Sequence, residues 1–166
     1  EEGLYEDTLI VYDYLTDTLK MDPNNIIVFG RSIGSSPAIF LASRKSIAGL
    51  ILVSPLLSIK TVIKDLLGNF ISFFVNDRFR NNQLIQSVKC PTLIIHGQSD
   101  ALIKHYHSNE LYNLSKSPCE LILPEDMDHN EFDFYQDFSI PLKDFIKRNE
   151  IFLNTDTTLI DIPSKY

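Results

Sequence analysis

Tryptophan is absent from the 166 residues, cysteine and methionine occur twice each, glycine six times, and positive charge is the minority sign. Two cysteines, Cys90 and Cys119, cannot build a disulfide framework. Neither lies in a Cys-x-x-Cys pair or a Cys/His cluster with metal-ligand spacing, so both are expected to be reduced and structural in a cytosol-like compartment. Fifteen Lys and Arg against twenty-two Asp and Glu leave a net charge of −7, which repels phosphate backbones and anionic lipid surfaces and argues against a nucleic-acid partner. No apolar run is long enough for a membrane-spanning helix. The opening residues, Glu1 to Asp7, carry no basic segment followed by an apolar one and no initiator Met, so no targeting signal is read there. A chain that begins directly in an amphipathic helical pattern is expected to be an internal piece of a longer protein. What is present, 44% hydrophobic and 22% charged residues, is the composition of one ordinary soluble domain.

Tyr5, Leu9, Tyr12, Leu15 and Leu19 recur at helical spacing, and Met21-Asp22-Pro23-Asn24-Asn25 then supplies turn chemistry. Four short apolar runs follow. Ile26 to Phe29 ends at Gly30, Gly49 to Val53 at Ser54-Pro55, Thr92 to His96 at Gly97, and Glu120 to Leu123 at Pro124. Each reads as a strand buried on both faces, as parallel strands are. Helical patterns separate them: 34 to 44, one around Leu111 and Leu114, and a closing one from Phe134 to Arg148. Alternation of this kind predicts an α/β fold, a parallel sheet flanked by helices. Residues 1–150 read as part of a single domain and 151–166 as a tail, with no structure assigned to Asn154 through Tyr166. The stretch from Ile59 to Asn82 breaks the alternation and reads as an insertion over the end of the sheet.

Gly30-Arg31-Ser32-Ile33-Gly34 is a Gly-x-Ser-x-Gly set directly between a predicted strand and a predicted helix. Reversal from strand to helix in so few residues forces the serine into a strained conformation that lifts its hydroxyl clear of the sheet; the flanking positions must then lack side chains that would clash. The competing reading is a tight turn with Ser32 as a helix cap. A serine hydroxyl needs a base and the base needs a carboxylate, in the chain order Ser, Asp, His when each follows a strand. Asp100 lies just past the third strand and His129 just past the fourth, where the carboxyl ends of parallel strands place catalytic groups. The other histidines fit less well. His96 ends a strand and is expected to pack or bond beneath the turn, while His105 and His107 open the next helix and are expected to be solvated, except that His107 falls on the side of Leu111 and Leu114, where partial burial is the alternative. Asp126 and Asp128 are too close to His129 in sequence to reach around its ring, and Asp77 lies in the insertion. The Ile33 N–H is the expected oxyanion donor. A second donor, which would come from a loop after an earlier strand, is not found upstream of Gly30.

These residues resemble the C-terminal portion of alpha/beta-hydrolases, and among them the alpha/beta-hydrolase-domain 17 group. The matching stretches are Gly30-Arg31-Ser32-Ile33-Gly34-Ser35-Ser36-Pro37, Leu52-Val53-Ser54-Pro55-Leu56, Cys90 through Asp100, and Asp128-His129-Asn130. The resemblance implies an alpha/beta-hydrolase fold of which this chain supplies the last strands, with the N-terminal strands missing and the nucleophile strand left as an uncovered edge. It implies a cytosol-facing serine hydrolase, a thioesterase that removes palmitate from protein cysteines in the best-known members, acting on an acyl ester or acylated protein. Membrane contact would come through an N-terminal segment that this chain does not contain. Leu66, Phe70, Phe73 and Phe74 are expected either to wall an acyl pocket or to be a helix packed on the sheet. No metal or organic cofactor is expected, because the chemistry is complete with side chains. The alternatives are a non-catalytic hydrolase-like scaffold or binding protein and a serine peptidase, the latter weakened by Ser35 where a second glycine would follow Gly34.

Overall fold

The computed structural model describes residues 1–151; the expected tail from Asn154 to Tyr166 lies outside the described residues. Helix α1, Glu2–Asp13, continues as a π-helical turn over Tyr14–Thr18. Asp22 then accepts a hydrogen bond from the Asn24 N–H at 2.9 Å, and with Pro23 it sets a short 3-10 turn that aims the chain into strand β1, Ile27–Arg31. A 3-10 turn, Ser32–Gly34, leads into α2, Ser35–Arg44, and then β2, Gly49–Val53. Helices α3 (Ile59–Leu67), α4 (Asn69–Phe73) and α5 (Asn81–Leu84) form the insertion before β3, Thr92–Ile95. Helix α6 (Tyr106–Leu114), strand β4 (Cys119–Ile122), a π-helical turn over Phe134–Ser139 and α7 (Ile140–Arg148) complete the fold.

The four strands are parallel and lie in the order β1-β2-β3-β4. Because side chains alternate along a strand, β2 feeds both faces of the sheet. Leu50 and Leu52 join Ile39, Ile85, Ile94 and Leu111 on the face covered by α2 and α6. Ile51 and Val53 join Leu93, Ile95, Met127 and Phe145 on the other. Ile151, assigned from sequence to the tail, is buried in that second cluster. Removing one of these fully buried side chains to Ala costs about 2–5 kcal/mol.

The outer strands are not buried on both faces as their apolar runs suggest, and β1 lies at the edge of the sheet as the resemblance implies. β1 ends the sheet, so Phe29 is 53% exposed and Ile27 and Val28 are only half-buried; β4, the other end, is half-buried throughout. An apolar run reports a preference for burial but not how many neighbouring strands are present to supply it. An apolar groove of about 430 Å³ runs beside β1, lined in part by Leu4, Val11, Leu15, Val28 and Phe29. β1 also runs through Gly30 to Arg31 rather than stopping at the glycine, so the strand delivers its last residue directly to Ser32.

Candidate functional site

Three loops meet at the carboxyl ends of the strands. The first is the turn after β1, where Ser32 sits at φ +51°, the left-handed region that a residue with a Cβ seldom adopts. Gly30 is required beneath it: a Cβ there would stand 2.6 Å from the Gly34 carbonyl oxygen and 2.7 Å from the Ala38 Cβ. Gly34 is different. Its backbone is ordinary right-handed helix and a Cβ there would meet open space, so only the first glycine of the motif answers to steric necessity.

The second loop follows β3. A Cβ on Gly97 would collide with the Met127 backbone, so this glycine lets the third loop, after β4, lie directly over the second. The Gln98 and Ser99 N–H groups donate to the Pro124 and Met127 carbonyls at 2.9 and 3.1 Å, which fixes that contact. Asp100 is thereby brought against His129. The His129 Nδ1 lies 2.7 Å from Asp100 Oδ2 and its Nε2 lies 3.1 Å from Ser32 Oγ. Asp100 and His129 are buried and Ser32 is half-buried.

The carboxylate takes more than the histidine. Its Oδ1 accepts from the Leu102 and Ile103 N–H groups at 3.0 and 2.9 Å. Burial pushes the Asp100 carboxyl up, but hydrogen bonds from His96, the Ile103 N–H and His129 outweigh it and hold the group well below the usual carboxylate range. An anionic Asp100 requires Nδ1 of His129 to carry the proton, which leaves Nε2 as a lone pair aimed at the serine hydroxyl. From the other side, the Arg31 guanidinium donates to the His129 carbonyl and to Asn130 Oδ1, tying the nucleophile turn to the histidine loop.

Ile33 follows Ser32 in the same turn, with its side chain half-exposed. His96 bonds beneath its turn, to Ser108 and to the Ile103 carbonyl, as expected. His107 is not solvated and is buried beyond the partial burial that its side of the helix suggested: it is fully enclosed, with Nδ1 accepting from the Leu57 N–H and Nε2 donating to Asp65, both at 3.0 Å. Its acceptor, on α3, is 42 residues away in the chain, which local pattern does not reveal. Asp128 turns away from the ring, its Oδ1 accepting from the Asn130 and Glu131 N–H groups.

Leu66, Phe70, Phe73 and Phe74 are not brought to the three loops by any hydrogen bond or ring contact. Phe74 packs edge-on against both Phe70 and Phe73, and the three rings are 73–80% exposed. The alternative of a helix packed on the sheet is not met either: Ile59 and Val62 of α3 rest on Leu56, Phe79 and Ile103, which lie outside the strands, and Phe70, Phe73 and Phe74 stay exposed. Cys90 and Cys119 are free, and burial raises both thiols to about 11. Among the described residues no cluster of three or more His, Cys, Asp or Glu gathers to hold a metal ion, and no helix is long and apolar enough to cross a membrane.

No family model matches the chain. It is 32% identical over 149 residues to human "Alpha/beta hydrolase domain-containing protein 17B", covering 89% of this chain and 50% of that protein. To "Alpha/beta hydrolase domain-containing protein aho-3" of Caenorhabditis elegans it is 31% identical over 146 residues, 88% of this chain and 43% of that one. The chain therefore spans about half the length of the curated relatives it matches. Among solved structures, the Pyrococcus furiosus esterase Pf2001 superposes with a TM-score of 0.67 at 25% identity, over 86% of this chain and 60% of that one. Acetyl xylan esterase from Paenibacillus sp. R4 gives 0.69 at 17% identity, over 90% and 52%.

Proposed function

From an alpha/beta-hydrolase fold and a resemblance to the alpha/beta-hydrolase-domain 17 proteins over most of the chain, we propose that this is the C-terminal part of a serine hydrolase cleaving esters or thioesters. The observation that carries the reading is the continuous hydrogen-bonded line Ser32 Oγ, His129, Asp100, with separations of 3.1 and 2.7 Å.

The His129 Nε2 lone pair takes the proton of Ser32 as Oγ attacks the substrate carbonyl. Negative charge that develops on the carbonyl oxygen is met by the Ile33 N–H, the first donor of the turn that follows the nucleophile; one such donor is worth about 10²- to 10³-fold in rate. His129 then returns its proton to the leaving alkoxide or thiolate, and Ser32 carries the acyl group. Water, deprotonated by the same nitrogen, releases the acid and restores the hydroxyl. Asp100 stays ionised throughout, holding Nδ1–H in place and stabilising the transient imidazolium.

The resemblance extends the substrate to fatty-acylated protein cysteines, with palmitate as the acyl group, in a cytosolic setting with any membrane contact made by a segment upstream of Glu1. The exposed Phe70, Phe73 and Phe74 are an apolar surface available to such a chain. Labelling with a fluorophosphonate probe tests the reaction class, on this chain and on a form extended upstream by about 100 residues. Labelling that Ser32→Ala abolishes is the expected result. If neither form labels, the arrangement is a hydrolase-like scaffold.

A further inference from the structure

Asp100 Oδ2 faces two imidazoles, and the mechanism uses only one. His96, at the end of β3, is fully buried with its Nε2 3.3 Å from that oxygen and 2.7 Å from the Ile103 carbonyl. Its Nδ1 lies 2.7 Å from the Ser108 hydroxyl. A carbonyl only accepts, so Nε2 carries the proton and shares it between Ile103 and Asp100; the Ser108 hydroxyl donates to the bare Nδ1. With two backbone N–H groups on Oδ1 and two imidazoles on Oδ2, the carboxylate has four donors around it. Rotation of the carboxylate about its own bond would give up these contacts together.

On the serine-hydrolase reading, we propose that His96 is a positioning residue: its Nε2–H fixes Asp100 Oδ2 against His129 Nδ1, and Ser108 fixes His96. The ring does not touch substrate. It acts on the base through the acid, at the same carboxylate oxygen that His129 contacts. The groups that bear on Asp100 electrostatically are His96 at the end of β3, His129 and Asp128 from the loop after β4, and His107 from α6. Of these, His96 and His129 alone reach an oxygen of the carboxylate.

Two substitutions separate positioning from mere core filling. The side-chain nitrogen of Gln reaches the place of Nε2, whereas that of Asn reaches only the place of Nδ1. His96→Asn is expected to slow fluorophosphonate labelling by about 10- to 100-fold, because a misplaced base costs that much. His96→Gln is expected to recover most of the rate. The second readout is the far-downfield proton resonance of His129 Nδ1–H, which needs no turnover: it broadens or shifts in His96→Asn and persists in His96→Gln. Ser108→Ala, a milder change, shifts the same resonance by loosening the ring and serves if both His96 variants fail to fold. Equal labelling and an unchanged resonance in the Asn and Gln variants, or an unchanged resonance in Ser108→Ala when those two do not fold, would overturn the proposal. Absence of labelling in both this chain and the form extended upstream, each with wild-type His96, sinks the hydrolase reading, while the resonance still decides the role of His96.

Discussion

Two histidine–aspartate contacts are of similar length, His129 with Asp100 at 2.7 Å and His107 with Asp65 at 3.0 Å. What separates them is the far side of each ring. His129 donates from Nδ1 and turns Nε2 to a hydroxyl at the half-buried end of a strained turn. His107 donates from Nε2 and spends Nδ1 on the Leu57 N–H, a donor that never gives up its proton at ordinary pH. The first pair has somewhere to put a proton and something to take it from. The second is a strut: with the Tyr106 hydroxyl, 2.7 Å from the same Asp65 oxygen, it pins the insertion helix α3 to α6. A histidine–carboxylate pair is thus no signature of catalysis until its third partner is known.

The comparison breaks first at Asp100. Asp100→Asn removes the acceptor for Nδ1–H and leaves the imidazole in the wrong tautomer, so fluorophosphonate labelling should fall by about 10⁴-fold with the fold intact. Asp65→Asn alters the same chemistry at the other pair. It should cost about 1–3 kcal/mol in urea unfolding, from one weakened buried hydrogen-bond set, while folded protein labels within about twofold of the wild-type rate.

Acid separates the pairs again. Burial lowers the His107 imidazole below its ordinary value, with Asp65 opposing. A histidine held neutral in the fold contributes stability that is complete above its unfolded value of about 6.5 and is lost as pH falls through that value toward the folded one. The thermal midpoint should decline in that window for the wild-type chain and less steeply for His107→Gln. Asp100, held low, gives up its contribution only under more acidic conditions, below about 3.9. The smallest effect concerns groups belonging to neither pair: with thiols raised to about 11, Cys90 and Cys119 should resist iodoacetamide at pH 8 until the chain is unfolded, as mass spectrometry of the native protein would record.

Sequence makes the Ser32, His129, Asp100 line legible because each of its members lies in the loop after an apolar strand, and three of the strand ends are marked locally by Ser54-Pro55, Gly97 and Pro124. β2 is read to the residue for the same reason: five consecutive buried residues run up to the stop at Ser54-Pro55. The less legible features are those decided by distant partners. Phe29 is as apolar as Ile51, yet only one has a strand on both sides. His107 reads as at most partly buried at a helix start until Asp65 and Leu57 are placed against it. The second imidazole on Asp100 could be placed beneath the turn, but its reach to the carboxylate depends on how the chain between His96 and Ser108 folds back.

Arg31 occupies the position just before Ser32 and reaches across 98 residues of chain to the carbonyl of His129. The turn after β1 and the loop after β4 are therefore joined by the Arg31 guanidinium as well as by the Ser32–His129 contact, so that two separate linkages span the gap between hydroxyl and imidazole.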